Sequence, residues 1–313
     1  MQPRLTISPA GGGSLPIAAL RLDRSLTWPV GVAEAELSAL ASPPAPGAAV
    51  TVEAATTGPV TKLLTGAVRL SEPGPRSIRL LIEEPTGALA RLRIDQVHRS
   101  ATAGKVIQGL ANEAGVTPGT VEPGATLPAY AVTQDRTALD QILRLCTASG
   151  LLARTDTAGK LHAATPLPVP TVIITAPAAI IDWSVAQAPD VEPAKVTVSG
   201  DGAMGRKGPG AENWVVQDLS SMRAGSGGAA LHLPELKAAA DVAKAQQIAQ
   251  MRLQEAAKTA KLTLADLPPA DLGEVIAIAG YGALDGAWRI TAIRVRWGVP
   301  NGFTCHLSLS AVA

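Results

Sequence analysis

The sequence predicts a mixed, β-rich α+β protein in which two β units flank a small α/β module and one long helix belongs to the C-terminal part. Three observations carry this. Side chains alternate apolar and polar in short runs near both ends of the chain. The period becomes helical between Ser100 and His162, and an alanine-rich amphipathic stretch precedes the last strands. The expected division is a first β-barrel domain over 1–97, the α/β module of two helices and a hairpin over 98–168, and a second β domain with the long helix over 169–313.

In the first unit, Ala18 to Leu81, Ala33, Ala35, Leu37 and Ala39 alternate with Glu34, Glu36 and Ser38, as a strand with one buried and one wet face requires. Ser42 to Gly47 breaks that strand with three prolines and a glycine. Val50 to Ala54, Lys62 to Leu70 and Ile78 to Glu83 supply further strands of a small barrel.

In the module, Ile107, Leu110, Ala111 and Ala114 fall at helical spacing, as do Leu139, Ile142, Leu143 and Cys146. Ser100 or Thr102 caps the first helix and Gly115 stops it; Asp135 or Thr137 caps the second and Gly150 stops it. The two helices echo each other, Ile107, Leu110 and Gly115 matching Ile142, Leu145 and Gly150 at a constant offset. Leu151 to Thr165 reads as a hairpin turning at Asp156 to Gly159, and Pro166, Pro168 and Pro170 form a stiff linker.

In the last part, Lys195 to Ser199 is a strand, Gly200 to Gly210 a glycine-rich loop, and Met222 to Leu231 a second mobile loop. A helix is expected from Leu236 to Lys261, with Ala238, Val242, Ala245, Ala249, Leu253, Ala256 and Ala260 as one stripe. Ile248 lies off that stripe, either exposed or covered by another subunit. After Pro268 and Pro269 come a short strand, Glu274 to Ala279, and a turn at Gly280, Gly282, Asp285 and Gly286. Along Trp288 to Trp297, Ile290 and Ala292 share a face with Arg294 and Arg296, and the irregularity indicates a bulge or a strand covered at one end on each side. The final strand puts Phe303, Cys305, Leu307, Leu309 and Ala311 on one face and Thr304, His306, Ser308 and Ser310 on the other.

Composition narrows the function. The chain has 313 residues, 47% of them hydrophobic, enough to bury a large core in two or more units. Its 27 basic and 26 acidic residues nearly cancel, so a nucleic-acid or anionic-membrane role needs a local patch. The 2 cysteines, Cys146 and Cys305, make neither a disulfide framework nor a metal cluster and read as buried thiols. Met1 to Leu20 lacks the pattern of a cleaved signal, and the most apolar run, Val172 to Ile181, is broken by Pro177 and too short to span, so no membrane insertion is expected.

The search for chemistry assigns no catalytic, cofactor-binding or metal residue. His98, His162, His232 and His306 stand in no recognisable catalytic setting, and His162 and His306 read as solvent-facing strand residues. Glu83 and Glu84, the adjacent acidic pair, point to opposite faces of a strand and cannot flank one glycosidic bond. The loop holding Gly205, Arg206, Lys207 and Gly208 lacks phosphate-loop spacing. Arg69, Arg76, Arg79, Arg91, Arg93 and Arg99 concentrate near the end of the first β unit. They are available to DNA passing through a tube or to an acidic partner, or they are solvated faces balanced by Glu72, Glu83, Glu84 and Asp95.

The run from Pro46 and Gly47 through Val50 and Val52 to Leu63, Leu64, Thr65, Gly66, Ala67 and Val68 resembles the strand-turn-strand opening of phage late-control-D type baseplate hub proteins, with Leu64 where an aromatic residue is usual. Leu139 to His162 is similar to that family's helix and hairpin, and Asp271 to Ala279, Gly286 to Val295 and Gly302 to Leu309 resemble its ending. The resemblance implies two small tube-type β-barrels per chain and a homotrimer of quasi-sixfold symmetry. Such a hub joins a hexameric tail tube protein to a trimeric spike protein among other baseplate proteins, in a contractile injection system. It also implies a virion location after synthesis in the bacterial cytoplasm, passage of DNA through the lumen without sequence-specific binding, and a spike needle and lysozyme domain supplied by separate proteins. Two other readings stay open: a tail-associated cell-wall hydrolase, and a hexameric tail-tube or distal-tail subunit.

Overall fold

The structure, a computed structural model, describes residues 4–9, 13–39, 41–55, 60–176, 180–187, 195–200, 223–234, 236, 239–298 and 302–312. Six strands open the chain: β1 (Arg4–Pro9), β2 (Leu15–Ser25), β3 (Val32–Ser38), β4 (Ala49–Ala55), β5 (Thr61–Pro73) and β6 (Ser77–Glu83). They pair in the order β1-β4-β5-β6-β3-β2, and β1 then pairs with β2 to close a six-strand barrel. The alternation in β3 has its expected effect, with Ala33, Ala35 and Leu37 buried. Ala39 falls past the strand end and is exposed. β1 and β2 extend the unit well before Ala18; both are needed to seal the barrel.

The module contains β7 (Gln96–Thr102), α1 (Ala103–Glu113), β8 (Pro118–Val121), β9 (Thr126–Val132), α2 (Ala138–Ser149), β10 (Leu152–Thr155) and β11 (Leu161–Ala164). Thr102 caps α1 by accepting from Lys105 N–H, and Thr137 forms a capping box with Asp140 at α2. Gly150 ends α2 at φ 69, a left-handed conformation that disfavours any side chain. The hairpin β10-β11 turns between Thr155 and Leu161, and the buried faces of both helices and these strands share one apolar core.

The last part contains β12 (Val172–Thr175), β13 (Ile180–Gln187), β14 (Val196–Gly200), β15 (Arg223–Ala224), β16 (Ala229–Leu233), α3 (Ala239–Ala257), β17 (Lys258–Leu264), β18 (Val275–Ala279), β19 (Gly286–Gly298) and β20 (Gly302–Ala311). The helix expected over 236–261 is therefore shorter: α3 ends at Ala257, and Lys258–Leu264 is a strand. The reason is tertiary. Ala260, Leu262 and Leu264 alternate inward with Lys261 and Thr263 between them, and β17 finds ladders on both sides, in β13 and β20. Ala238 of the expected stripe lies outside the described residues, as do Arg206, Lys207 and the rest of 201–222.

Two more expectations change. Part of the stretch expected as a mobile loop, Met222 to Leu231, is strand, because β15 and β16 both pair with β14. Ile248 is 6% exposed, and the same chain covers it: a Cβ at Gly150 would overlap Ile248 Cδ1, so that glycine leaves the space the isoleucine fills. No helix among the described residues is long and apolar enough to cross a membrane.

The late strands repeat the early ones. They pair in the order β12-β18-β19-β20-β17-β13, which matches β1-β4-β5-β6-β3-β2 in both pairing order and chain order. Two of the irregularities match too, although the shift of β5 on β4 at Leu63 has no counterpart between β18 and β19. One extra residue interrupts the register of β5 on β6 at Arg69 and of β19 on β20 at Thr291; another interrupts β2 on β3 at Ala18 and β13 on β17 at Ile181. The repeat departs at one edge, since β1 is antiparallel to β4 whereas β12 is parallel to β18. Between the two sets β2 pairs with β19 from Leu20↔Trp297 to Ser25↔Ala292, so one sheet and one apolar core run through both.

The closing strand follows its expected register, with Phe303, Cys305, Leu307 and Leu309 buried. Leu307 is 1% exposed, whereas Ser308 lies on the polar face. Leu307→Asp is expected to cost several kcal/mol, and Ser308→Asp well under about 1 kcal/mol, in urea denaturation. Equal effects would refute this register.

Candidate functional site

The strongest concentration of buried charge lies where the three parts of the chain meet. Arg24, at the end of β2, is 3% exposed, and its guanidinium donates to three segments distant in sequence. Nε bonds Glu84 Oε1 at 2.8 Å, Nη1 bonds Asp271 Oδ1 at 2.6 Å, and Nη2 bonds the Thr155 carbonyl at 2.6 Å. Glu84 Oε2 accepts Gly31 N–H at 2.7 Å, and a Cβ at Gly31 would run into the Glu84 carboxyl, so the approach needs glycine. Thr155 Oγ1 donates to the Pro29 carbonyl at 3.0 Å, and Asp271 also takes Thr157 N–H. Burial pushes the Glu84 carboxyl up, against the opposing pull of Arg24 and the Gly31 N–H.

This arrangement disposes of Glu83 and Glu84 as a hydrolytic pair. Glu84 is committed to Arg24, while Glu83 binds Arg69 at 2.5 Å and Arg91 at 2.9 Å. The arginines of the first unit are likewise engaged within the chain. Arg79 pairs with Glu34 at 3.4 Å, and Arg93 donates to the carbonyls of Gln134 and Asp135. Among the described residues no ion pair holds Arg76 or Arg99, both exposed. The balanced, solvated-face reading thus describes three of the six, Arg69, Arg79 and Arg91.

His162 is not solvent-facing as its alternation suggested. Its Nε2 meets Asp156 Oδ2 at 2.9 Å and its Nδ1 accepts Thr120 N–H at 3.0 Å, which pins the hairpin turn to β8. Asp156 is pulled below the ordinary carboxylate range because His162 and the Lys160 and Ala158 N–H groups outweigh its burial. His232 meets Ser199 across β14 and β16 at 3.1 Å, and His98 stays on β7. Cys146 and Cys305 are buried, and burial pushes each thiol up to about 12. Among the described residues no three of His, Cys, Asp and Glu gather to hold a metal.

A basic surface escaped the sequence reading because its residues come from separate strands. Lys261 of β17, Arg294 and Arg296 of β19 and His306 of β20 converge with Asp182, Ser184 and Ser308 around a depression of about 290 Å³ on the polar side of the sheet. His306 shares a hydrogen bond with Thr263 Oγ1 at 3.1 Å and is half-buried rather than free in solvent. Burial, then Arg296 and Arg294, push its imidazole down. Arg294 pairs with Asp23 across the β2–β19 junction. The alternation of the two arginines with Ile293 and Val295 was the available signal; the lysine and histidine beside them were not readable from spacing.

Removing one member of the buried cluster strands the others. Glu84→Ala is expected to cost about 3–5 kcal/mol, since Arg24 keeps its charge without its fully buried carboxylate partner. Asp271→Ala, at a carboxyl 18% exposed, should cost less. Urea denaturation of the two variants checks the order, and the reverse order would contradict it.

No protein-family model matches the chain, and no curated protein does. Solved structures do. The 43 kDa tail protein of prophage MuSo2 from Shewanella oneidensis aligns with a TM-score of 0.71 at 16% identity, covering 98% of each chain. The tail protein from Neisseria meningitidis MC58 aligns with a TM-score of 0.73 at 13% identity, covering 99% of this chain and 97% of that one. The c3393 protein of E. coli, a component of the type VI secretion system with structural similarity to the T4 bacteriophage tail proteins gp27 and gp5, aligns with a TM-score of 0.66 at 10% identity over 98% of this chain and 77% of that one. The chain therefore has the fold of phage tail proteins.

Proposed function

We propose that the chain is a structural component of a phage or phage-like tail, and within it the baseplate hub that joins a hexameric tail tube to a trimeric spike. The observation that carries this is the internal repeat: two six-strand units with the same strand order and the same two bulges, joined edge to edge by β2 and β19. A chain that contains the same unit twice is suited to match six subunits on one side with three on the other. Its likeness to tail proteins over nearly the whole length supports the same reading.

In this reading the second unit is also a barrel. The segment from Val172 to Gln187 pairs with β18 through its first strand and with β17 through its second, so the ladder returns to the segment from which it started. Domain limits at 97 and 168 are part of the same proposal, as are the virion location and the tube, spike and baseplate partners. The basic surface of Lys261, Arg294 and Arg296, rather than the arginines of the first unit, is the better candidate to line a lumen through which DNA passes without sequence readout. The function requires no cofactor and no catalytic residue.

Three chains of 31.9 kDa give about 96 kDa, which mass measurement of the purified assembly of this chain alone should return. A mass near six chains would instead favour the tail-tube or distal-tail reading. A chain that stays monomeric with both partners present, or that is absent from purified particles, would overturn the hub assignment.

A further inference from the structure

The repeat has a consequence at its two open edges. Within the chain the far half of β19, Ala292 to Trp297, receives β2, while its near half pairs with β18. The counterpart of β19 in the first unit is β5. Its near half, Thr61 to Ala67, pairs with β4; beyond that its described ladder is with β6 alone. The counterpart of β2 is β13, whose described ladder in this region is with β17 alone. Among the described residues one chain therefore presents a free receiving edge on β5 and a free inserting edge on β13, the same two edges that meet internally as β19 and β2.

We infer that β13 of one copy pairs with the far half of β5 of a second copy, repeating the internal β2–β19 junction. The shared bulges set the register: Ala18 corresponds to Ile181 and Arg69 to Thr291. Transferring the pairs Leu20↔Trp297 through Arg24↔Ile293 puts Val185 opposite Pro73, Ala186 opposite Glu72 and Gln187 opposite Ser71, with Trp183 at Pro75 in the bend just past the end of β5. The inference rests on the assembly proposed above, but its test does not depend on which tail part that assembly is.

Exposure supports the pairing. Trp183 pairs with the buried Leu262 and so lies on the core side of the sheet, yet it is 37% exposed, while Leu20, its counterpart beside β19, is 3% exposed. Leu70 on the receiving edge is 43% exposed. β13 has one charged residue, Asp182, and neither lysine nor proline, so it lacks the devices that keep a free edge from pairing. A head-to-tail contact between different edges of identical chains extends to further copies and closes into a ring when the rotation permits.

The junction between copies differs in chemistry from the one inside the chain. Asp23 and Arg294 make an ion pair inside; Ala186 and Glu72 replace them between copies. Gln187 stands in place of Arg24, so no buried guanidinium locks the contact, and Pro73 and Pro75 remove two N–H donors. The contact between copies is thus the weaker of the two and can form after each chain has folded.

Ala186→Cys combined with Glu72→Cys tests the register in the full chain. Both positions are exposed, and the buried Cys146 and Cys305 do not compete. Mild oxidation should link chains into multiples of 31.9 kDa on a non-reducing gel. Ala186→Cys with Lys62→Cys should not link, because Lys62 lies in the half of β5 already paired to β4. Ala186→Glu sets like charges opposite each other and should weaken association about two- to fivefold per junction, with Glu72→Lys restoring it. Absence of the Ala186–Glu72 link, preferential linking of the control pair, an unchanged assembly in Ala186→Glu, or a chain monomeric at every concentration would each overturn the inference. A link in a chain absent from tail particles would instead leave the interface standing and remove the hub.

Discussion

Arg24 lies at the end of a barrel strand with its guanidinium cut off from water, so the segments packed around it have to satisfy a full positive charge. They come from every part of the chain: Glu84 after β6, the Thr155 carbonyl at the end of β10, and Asp271 before β18. A buried ion pair returns little net stability once both desolvation costs are counted, but leaving it incomplete is expensive. Its effect is therefore on geometry. Any arrangement that separates the first barrel, the module hairpin or the last strands leaves a charge buried alone.

The sheet and helix contacts build on that arrangement. With Arg24 held, the adjoining residues of β2 lie along β19, and Asp23 faces Arg294 across the seam. Arg294 and Arg21 hold the Asp23 carboxyl below its usual range in spite of partial burial. Helix α3 braces the opposite side. Ile248 packs into the space left by Gly150, Arg252 donates to the Leu151 carbonyl, and Glu255 pairs with Arg289 of β19 at 3.1 Å. The module and the second sheet are thus tied by one helix as well as by one arginine.

Much of the local structure was legible in the residues. The alternation at Ala33 to Leu37 and at Phe303 to Leu309 specified both the strands and their buried faces, because a period of two has one solution when one face is wet. The stops at Gly115 and Gly150 were readable, and the cap of α2 was narrowed to Asp135 or Thr137, because each satisfies a local backbone requirement. The candidate surface was less legible. Lys261 and His306 come together only because the β17–β20 ladder sets Lys261 opposite Ser308 and His306 opposite Thr263, and His162 was claimed by Asp156 and a backbone N–H that alternation cannot reveal.

What the sequence determined by itself was the class of the fold, the helix ends marked by glycine, and the inward face of most strands, all of which depend on neighbours within a few residues. The tertiary structure decided the rest. It cut the long helix at Ala257, because Lys258–Leu264 gains two ladders as a strand that it cannot gain as helix. It put Ile248 inside the chain, joined β2 to β19, and turned Arg24, Glu84 and Asp271 into one cluster across 247 positions of sequence. Those outcomes depend on which distant surfaces meet, and the pattern of any one segment carries no record of its partner.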